Sequence, residues 1–203
     1  HEIIRQGLTI LDNLTHRGAA GADPLTGDGA GILLQLPNRF FQEECQRLGI
    51  DLPAEGNYGV GTIFLPQGKT ARDACEKAII DLVTKEGQDF LGWRNLPTDN
   101  SVLSDAVCQI EPFIRQAFIA RGKNCADTDA FERKLFVIRK QIHKITREQN
   151  LAGEEGFYIP SMSARTICYK GMMLAARVSS YFTDLNDERI ESALALVHQR
   201  FST

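Results

Sequence analysis

Two stretches of this sequence hold side chains whose types and spacing could do chemistry. The first, Leu14 to Leu36, reads LTHRGAAGADPLTGDGAGILLQL and sets a His16-Arg17-Gly18 step, a glycine-dense turn and an apolar run end to end. Five glycines fall between Gly18 and Gly31, and a residue without a side chain accepts positive φ and lets other groups approach the backbone closely. The turn is therefore shaped, and a shaped turn feeding a buried strand usually stands beside a site. The second stretch, Ala193 to Thr203, reads ALALVHQRFST, with Arg200 at the mouth of an apolar run that should be a buried strand. A guanidinium placed there is costly unless paired. Its planar fork suits a carboxylate, which belongs either to an internal Asp or Glu or to a ligand.

Other chemistries find less support. Thr26 to Gly31, TGDGAG, invites a phosphate cradle, but Ile32 stands at the third glycine position of the dinucleotide fingerprint, a strand follows where a helix should, and no Walker lysine is present. A structural turn beside a site is the favoured reading of that motif, with Asp28 inside it. His16 and His198 each stand near an arginine at a chain transition, where a histidine bonded into the core or surface is the simpler account. Ser161, Ser163 and Ser202 lack the G-x-S-x-G elbow of a serine hydrolase. The five cysteines, Cys45, Cys75, Cys108, Cys125 and Cys168, form no CxxC pair and no cluster of zinc spacing, so they are expected to be reduced, mostly buried and without a metal.

The elements that must position these residues follow from periodicity. Residues 2 to 14 form an amphipathic helix that delivers the chain to His16 and Arg17. A strand over 32 to 36 is stopped by Pro37, and Asn38 can cap a helix over 39 to 48 with Phe40, Phe41, Cys45 and Leu48 on its apolar side, ended by Gly49. Strands are expected at 58 to 65, 90 to 96, 113 to 120, 157 to 161, 165 to 170 and 193 to 197, while 102 to 110 is ambiguous. Thr70 is a candidate N-cap for a helix over 71 to 86. Phe131, Leu135, Ile138, Ile142 and Ile145 mark a long helix whose basic residues read as a solvated face. Strands mostly in pairs and helices mostly in blocks, without regular βαβ alternation, argue for an α+β fold.

Length and composition set outer bounds. With 203 residues, 43% of them hydrophobic, the chain can bury a sizeable core in one large domain or two small ones. A net charge of -3 makes no electrostatic case for nucleic acid or an anionic membrane. No apolar run approaches the roughly 20 residues of a membrane span, and no signal peptide is apparent, so a soluble cytoplasmic protein is expected. The chain begins at His1 inside a helical pattern and stops just past a strand-like run, so it reads as part of a longer polypeptide.

LTHRGAAGADPLTGDGAGILLQLP, FERKLFVIRKQI, FYIPSMSARTICYKGMM and SALALVHQRFST, taken together and in order, resemble the glutamine amidotransferase domain of glutamate synthases. Other class II amidotransferases are similar in the HRG and R-x-S-T steps but separate them by a much shorter stretch. The resemblance implies an N-terminal-nucleophile hydrolase fold, an αββα sandwich of two antiparallel sheets between helical layers, incomplete here at both ends, with residues 1–203 a partial amidotransferase type-2 domain. It implies that L-glutamine is hydrolysed to glutamate and ammonia by a cysteine at the mature N-terminus, whose own α-amino group serves as base. The ammonia would pass to a synthase domain of the same polypeptide, where FMN and an iron-sulfur cluster support reductive amination of 2-oxoglutarate, with electrons from NADPH, NADH or ferredoxin and a small NADPH-oxidising subunit as a further partner.

Carried over residue by residue, the resemblance gives Arg200 as the holder of the glutamine α-carboxylate and Thr203 as its neighbour. Arg17 and Gly18 lie near the nucleophile, and Asp28 belongs to the structural turn. The nucleophile itself would lie upstream of His1, and the oxyanion Asn-Gly pair beyond Thr203. This chain alone is therefore expected to be inactive as an enzyme fragment, and a non-catalytic scaffold or regulatory module keeping the same fold is the alternative reading.

Overall fold

The computed structural model describes residues 1–14, 27 and 29–199. Its helices are α1 (Glu2–Asn13), α2 (Asn38–Arg47), α3 (Lys69–Lys85), α4 (Asp105–Cys108), α5 (Thr128–Glu148) and α6 (Val178–Tyr181), and its strands are β1 (Ala30–Gln35), β2 (Tyr58–Leu65), β3 (Asp89–Asn95), β4 (Phe113–Ala120), β5 (Tyr158–Ser163), β6 (Thr166–Gly171) and β7 (Ala195–His198). Backbone packing divides the chain into two compact units. One gathers His1–Phe40, Leu96–Glu111 and Cys168–Thr203, and the other Phe41–Asn95 and Pro112–Ile167. Two antiparallel sheets carrying helices make this an α+β protein.

The second unit is built on the sheet β3-β4-β2-β5. Tyr58 to Leu65 pairs residue for residue with Ala120 to Phe113, and a proline at the outer end of each strand, Pro66 and Pro112, removes the amide that would extend the ladder. Helices α3 and α5 cover one face. Phe131, Leu135, Ile138 and Ile142 of α5 are fully buried in one cluster with Ile79 and Leu82 of α3 and Ile63 and Ile119 of the sheet. The Asp127 carboxylate accepts from the Ala130 amide at 2.7 Å and caps α5. On the opposite face Phe41 meets Phe118 edge-on, with ring centroids 5.4 Å apart. There Arg94, only 5% exposed, donates Nη1 to Gln116 Oε1 at 2.8 Å.

The first unit holds the sheet β6-β1-β7, with β1 central. Ile4, Gly7 and Leu11 form the buried stripe of α1, which packs on β7 and β1. Among the described residues no helix is long and apolar enough to cross a membrane.

Several sequence expectations need correction. Thr70 does not cap α3: the helix begins at Lys69 with Gly68 as N-cap, and the Gly68 amide donates to the Glu155 carboxylate at 2.9 Å, so a distant acid serves the helix end. Leu48 is 52% exposed and not on the apolar side of α2. The ambiguous stretch forms a 3-10 turn, Asn100–Val102, and the four-residue α4. The last strand is not buried. As an edge strand covered by α1 on one face only, β7 leaves Leu196 66% exposed and Leu194, just before it, 44% exposed. The charged face of α5 is only partly solvated, because Lys134 bonds Glu86 at 2.8 Å and Glu132 holds a turn. The cysteines are mostly buried as expected, four of them fully and Cys108 half-buried, and none is in a disulfide.

Candidate functional site

Three segments of the first unit meet at one end of its sheet. The His1 ring lies 3.3 Å from the Ile190 carbonyl, and a Cβ on Gly7 would stand 2.8 Å from Ala195 Cβ and 3.7 Å from Val197 Cγ1. Helix α1 therefore runs alongside the chain that becomes β7, in the same direction, and Leu14 lies toward the His198 end. Strand β1 runs the other way, with Gly31 opposite His198 and Leu34 opposite Ala195. Its first residue, Ala30, is therefore at that same end. Leu14 after α1, Ala30 at the start of β1 and His198 at the end of β7 thus lie toward one end of the sheet.

The glycines of the TGDGAG turn have distinct physical reasons. Gly29 has φ of +103°, which side-chain-bearing residues rarely adopt. A Cβ on Gly27 would fall 2.9 Å from Leu174 Cδ2 and 3.0 Å from the Met173 carbonyl oxygen. One on Gly31 would fall 2.5 Å from His198 Cε1 and 2.7 Å from the Tyr169 carbonyl oxygen, with Lys170 Cβ closer still. Gly27 and Gly31 are thus packed against protein atoms, and the strand continues directly from the turn. This supports the structural turn over a phosphate cradle.

His198 is half-buried, and burial first, then the Lys170 ammonium, holds its imidazole below the ordinary histidine range. The ring is accordingly neutral near pH 7. Next to it, Gln199 Oε1 is buried without a hydrogen-bond partner. None of the five thiols is suited to nucleophilic attack by its setting. Burial pushes Cys45 up to about 12 and Cys75 to about 11, Cys125 and Cys168 are buried, and Cys108 donates weakly to the Asn100 carbonyl at 3.6 Å.

The residues assigned from the sequence, Arg17, Gly18, Arg200 and Thr203, with His16 and Asp28, lie outside the described residues. Of the residues near them in sequence, Gly31 and His198 are paired across β1 and β7. Sequence reasoning did not single out Lys170 or the packing of His198 on Gly31. A lysine in a β-strand carries no local signal of which strand lies beside it, so only the order β6-β1-β7 reveals the pair. Ser163 belongs elsewhere: its Oγ donates to the Glu132 carboxylate at 2.9 Å and accepts from the Arg165 and Thr166 amides at 2.9 and 3.1 Å, which makes it a turn-former at the end of β5.

The chain belongs to the class II glutamine amidotransferases, whose family pattern matches residues 1–203, and its two antiparallel sheets with helices are consistent with the N-terminal-nucleophile hydrolase fold of that class. It is 45% identical over 205 residues to the glutamate synthase [NADPH] large chain of Bacillus subtilis (strain 168), which covers 100% of this chain and 13% of that protein. It is 40% identical over 209 residues to the glutamate synthase [NADH] of Schizosaccharomyces pombe, covering 100% of this chain and 10% of that protein. Against the chloroplastic ferredoxin-dependent glutamate synthase of Oryza sativa subsp. japonica the identity is 34% over 201 residues, 99% of this chain and 12% of that protein. The chain thus spans about a tenth of the length of these relatives, matching the N-terminal regions of their large chains.

Proposed function

We propose that this chain is part of the glutaminase domain of a glutamate synthase and supplies one wall of its glutamine pocket. The observation that supports the reading is the pairing of Gly31 with His198 across β1 and β7 in a chain 45% identical to a glutamate synthase. Arg200 holds the substrate α-carboxylate through its planar fork, Thr203 stands beside the same substrate, and Arg17 and Gly18 lie near the attacking cysteine. Both compact units belong to one amidotransferase domain, of which residues 1–203 are a part.

In the assembled site a thiolate attacks the glutamine side-chain amide, ammonia leaves with a proton, and water releases glutamate from the acyl-enzyme. The thiolate comes from outside this chain, since its own thiols are buried or bonded. The ammonia serves reductive amination of 2-oxoglutarate in a synthase domain of the same polypeptide, with a small NADPH-oxidising subunit as a further partner and the cytoplasm as the setting. FMN and an iron-sulfur cluster belong to that synthase part. Among the described residues no three His, Cys, Asp or Glu side chains gather as a ligand set.

Replacing Arg200 by Ala in the intact protein tests the reading. The KM for glutamine should rise roughly 10- to 100-fold, the loss expected when a charged hydrogen-bond pair is removed. An unchanged KM would remove Arg200 from the pocket.

A further inference from the structure

Strand β7 ends in a packing arrangement that the proposed chemistry does not itself explain. On the sheet face away from α1, Lys170 of β6, Gly31 of β1 and His198 of β7 form one cross-strand row. Gly31 has no room for a side chain, because the His198 ring and the Lys170 stem occupy the space from either side. The ring makes no hydrogen bond or ion pair among the described residues, and Lys170 is a cation that repels a charged imidazole. What His198 contributes is therefore a flat, uncharged shape laid on the backbone at the mouth of the TGDGAG turn. His198 stands two residues before Arg200, and Gly31 three after Asp28, so this contact joins strand residues close in sequence to both motif segments.

We propose that His198 is a positioning residue for glutamine binding: its ring, seated on Gly31, fixes where β7 ends and so where Arg200 is presented to the substrate carboxylate. The proposal rests on the glutaminase reading. A guanidinium fork binds a carboxylate through two parallel hydrogen bonds, and a small displacement of its backbone costs far more than one contact.

The test is steady-state glutaminase kinetics on the intact protein, with ammonium-supported turnover as the check that each variant is folded. His198→Ala should raise the glutamine KM about tenfold and leave kcat within about twofold. Gly31→Ala, which drives a methyl into the ring, should do the same. His198→Phe keeps a flat ring of similar size and should restore a KM close to the parent's. Arg200→Ala, measured alongside, separates the role of His198 from that of the carboxylate-binding arginine. If Arg200→Ala raises KM and His198→Ala does not, the positioning role is overturned and the glutaminase reading stands. Should Arg200→Ala leave KM unchanged, both fall. A His198→Phe variant as impaired as His198→Ala would overturn the role of ring shape.

Discussion

Glu132 illustrates how a single residue of a recognisable motif can be structural. Its carboxylate takes the Ser163 hydroxyl at 2.9 Å and also the Ala164 amide, while Ser163 Oγ closes the turn on the next two amides. One acid on α5 thus ties the turn that follows β5 to the helix. Removing it leaves an amide and a hydroxyl without their charged acceptor, so Glu132→Ala should cost about 2–3 kcal/mol, read as a lower urea midpoint. At Gly31 a methyl group meets three neighbours at once, and Gly31→Ala should destabilise by about 1–3 kcal/mol through overpacking. Neither effect could be read from the sequence. FERK and SMSART are distinctive as strings, but nothing local says that the acid of one bonds the serine of the other.

At the scale of the element, legibility followed locality. Helix α5 was readable because steps of four and three put Phe131, Leu135, Ile138 and Ile142 on one stripe, and all four are fully buried. Strands β2 and β4 emerged with the expected bounds because prolines end them. Where topology decides, the sequence was silent. The apolar string before His198 looks like a core strand, yet β7 is an edge, and its outward leucines stay exposed. The start of α3 was misplaced for a related reason, since the group serving its first turn, Glu155, arrives from 87 residues away. Side-chain truncations should separate the two faces of α5. Leu135→Ala removes a fully buried side chain and should cost about 2–5 kcal/mol. Phe136→Ala, at a position 56% exposed, should stay within about 0.5 kcal/mol, both read by chemical denaturation.

Over the whole molecule, two imidazoles set a pH dependence. Burial first, then Arg139 and Lys140, depresses His143, and burial with Lys170 depresses His198. Unfolded, both return toward about 6.5 and bind protons that the folded protein refuses. Above that value both are neutral in either state and contribute nothing to the pH dependence. As pH falls below about 6.5 the unfolded state gains protons first, so stability declines. Denaturation midpoints measured from pH 7.5 to 5 should fall with pH, and His143→Gln should flatten the curve.

The candidate site was legible in part at this scale. The glycine-rich and HQRFST strings could be picked out by residue type, but the pairing of Gly31 with His198, 167 positions apart in the chain, is a property of the β1-β7 register. The proposed role of Arg200 is to hold the α-carboxylate of glutamine. The most direct measurement compares kcat/KM for L-glutamine with that for its analogue bearing a carboxamide in place of the α-carboxylate, in the parent protein and in Arg200→Ala. The parent should prefer glutamine by roughly 10- to 100-fold, and Arg200→Ala should use the two substrates equally poorly. A variant that still discriminates as strongly as the parent would contradict the claim.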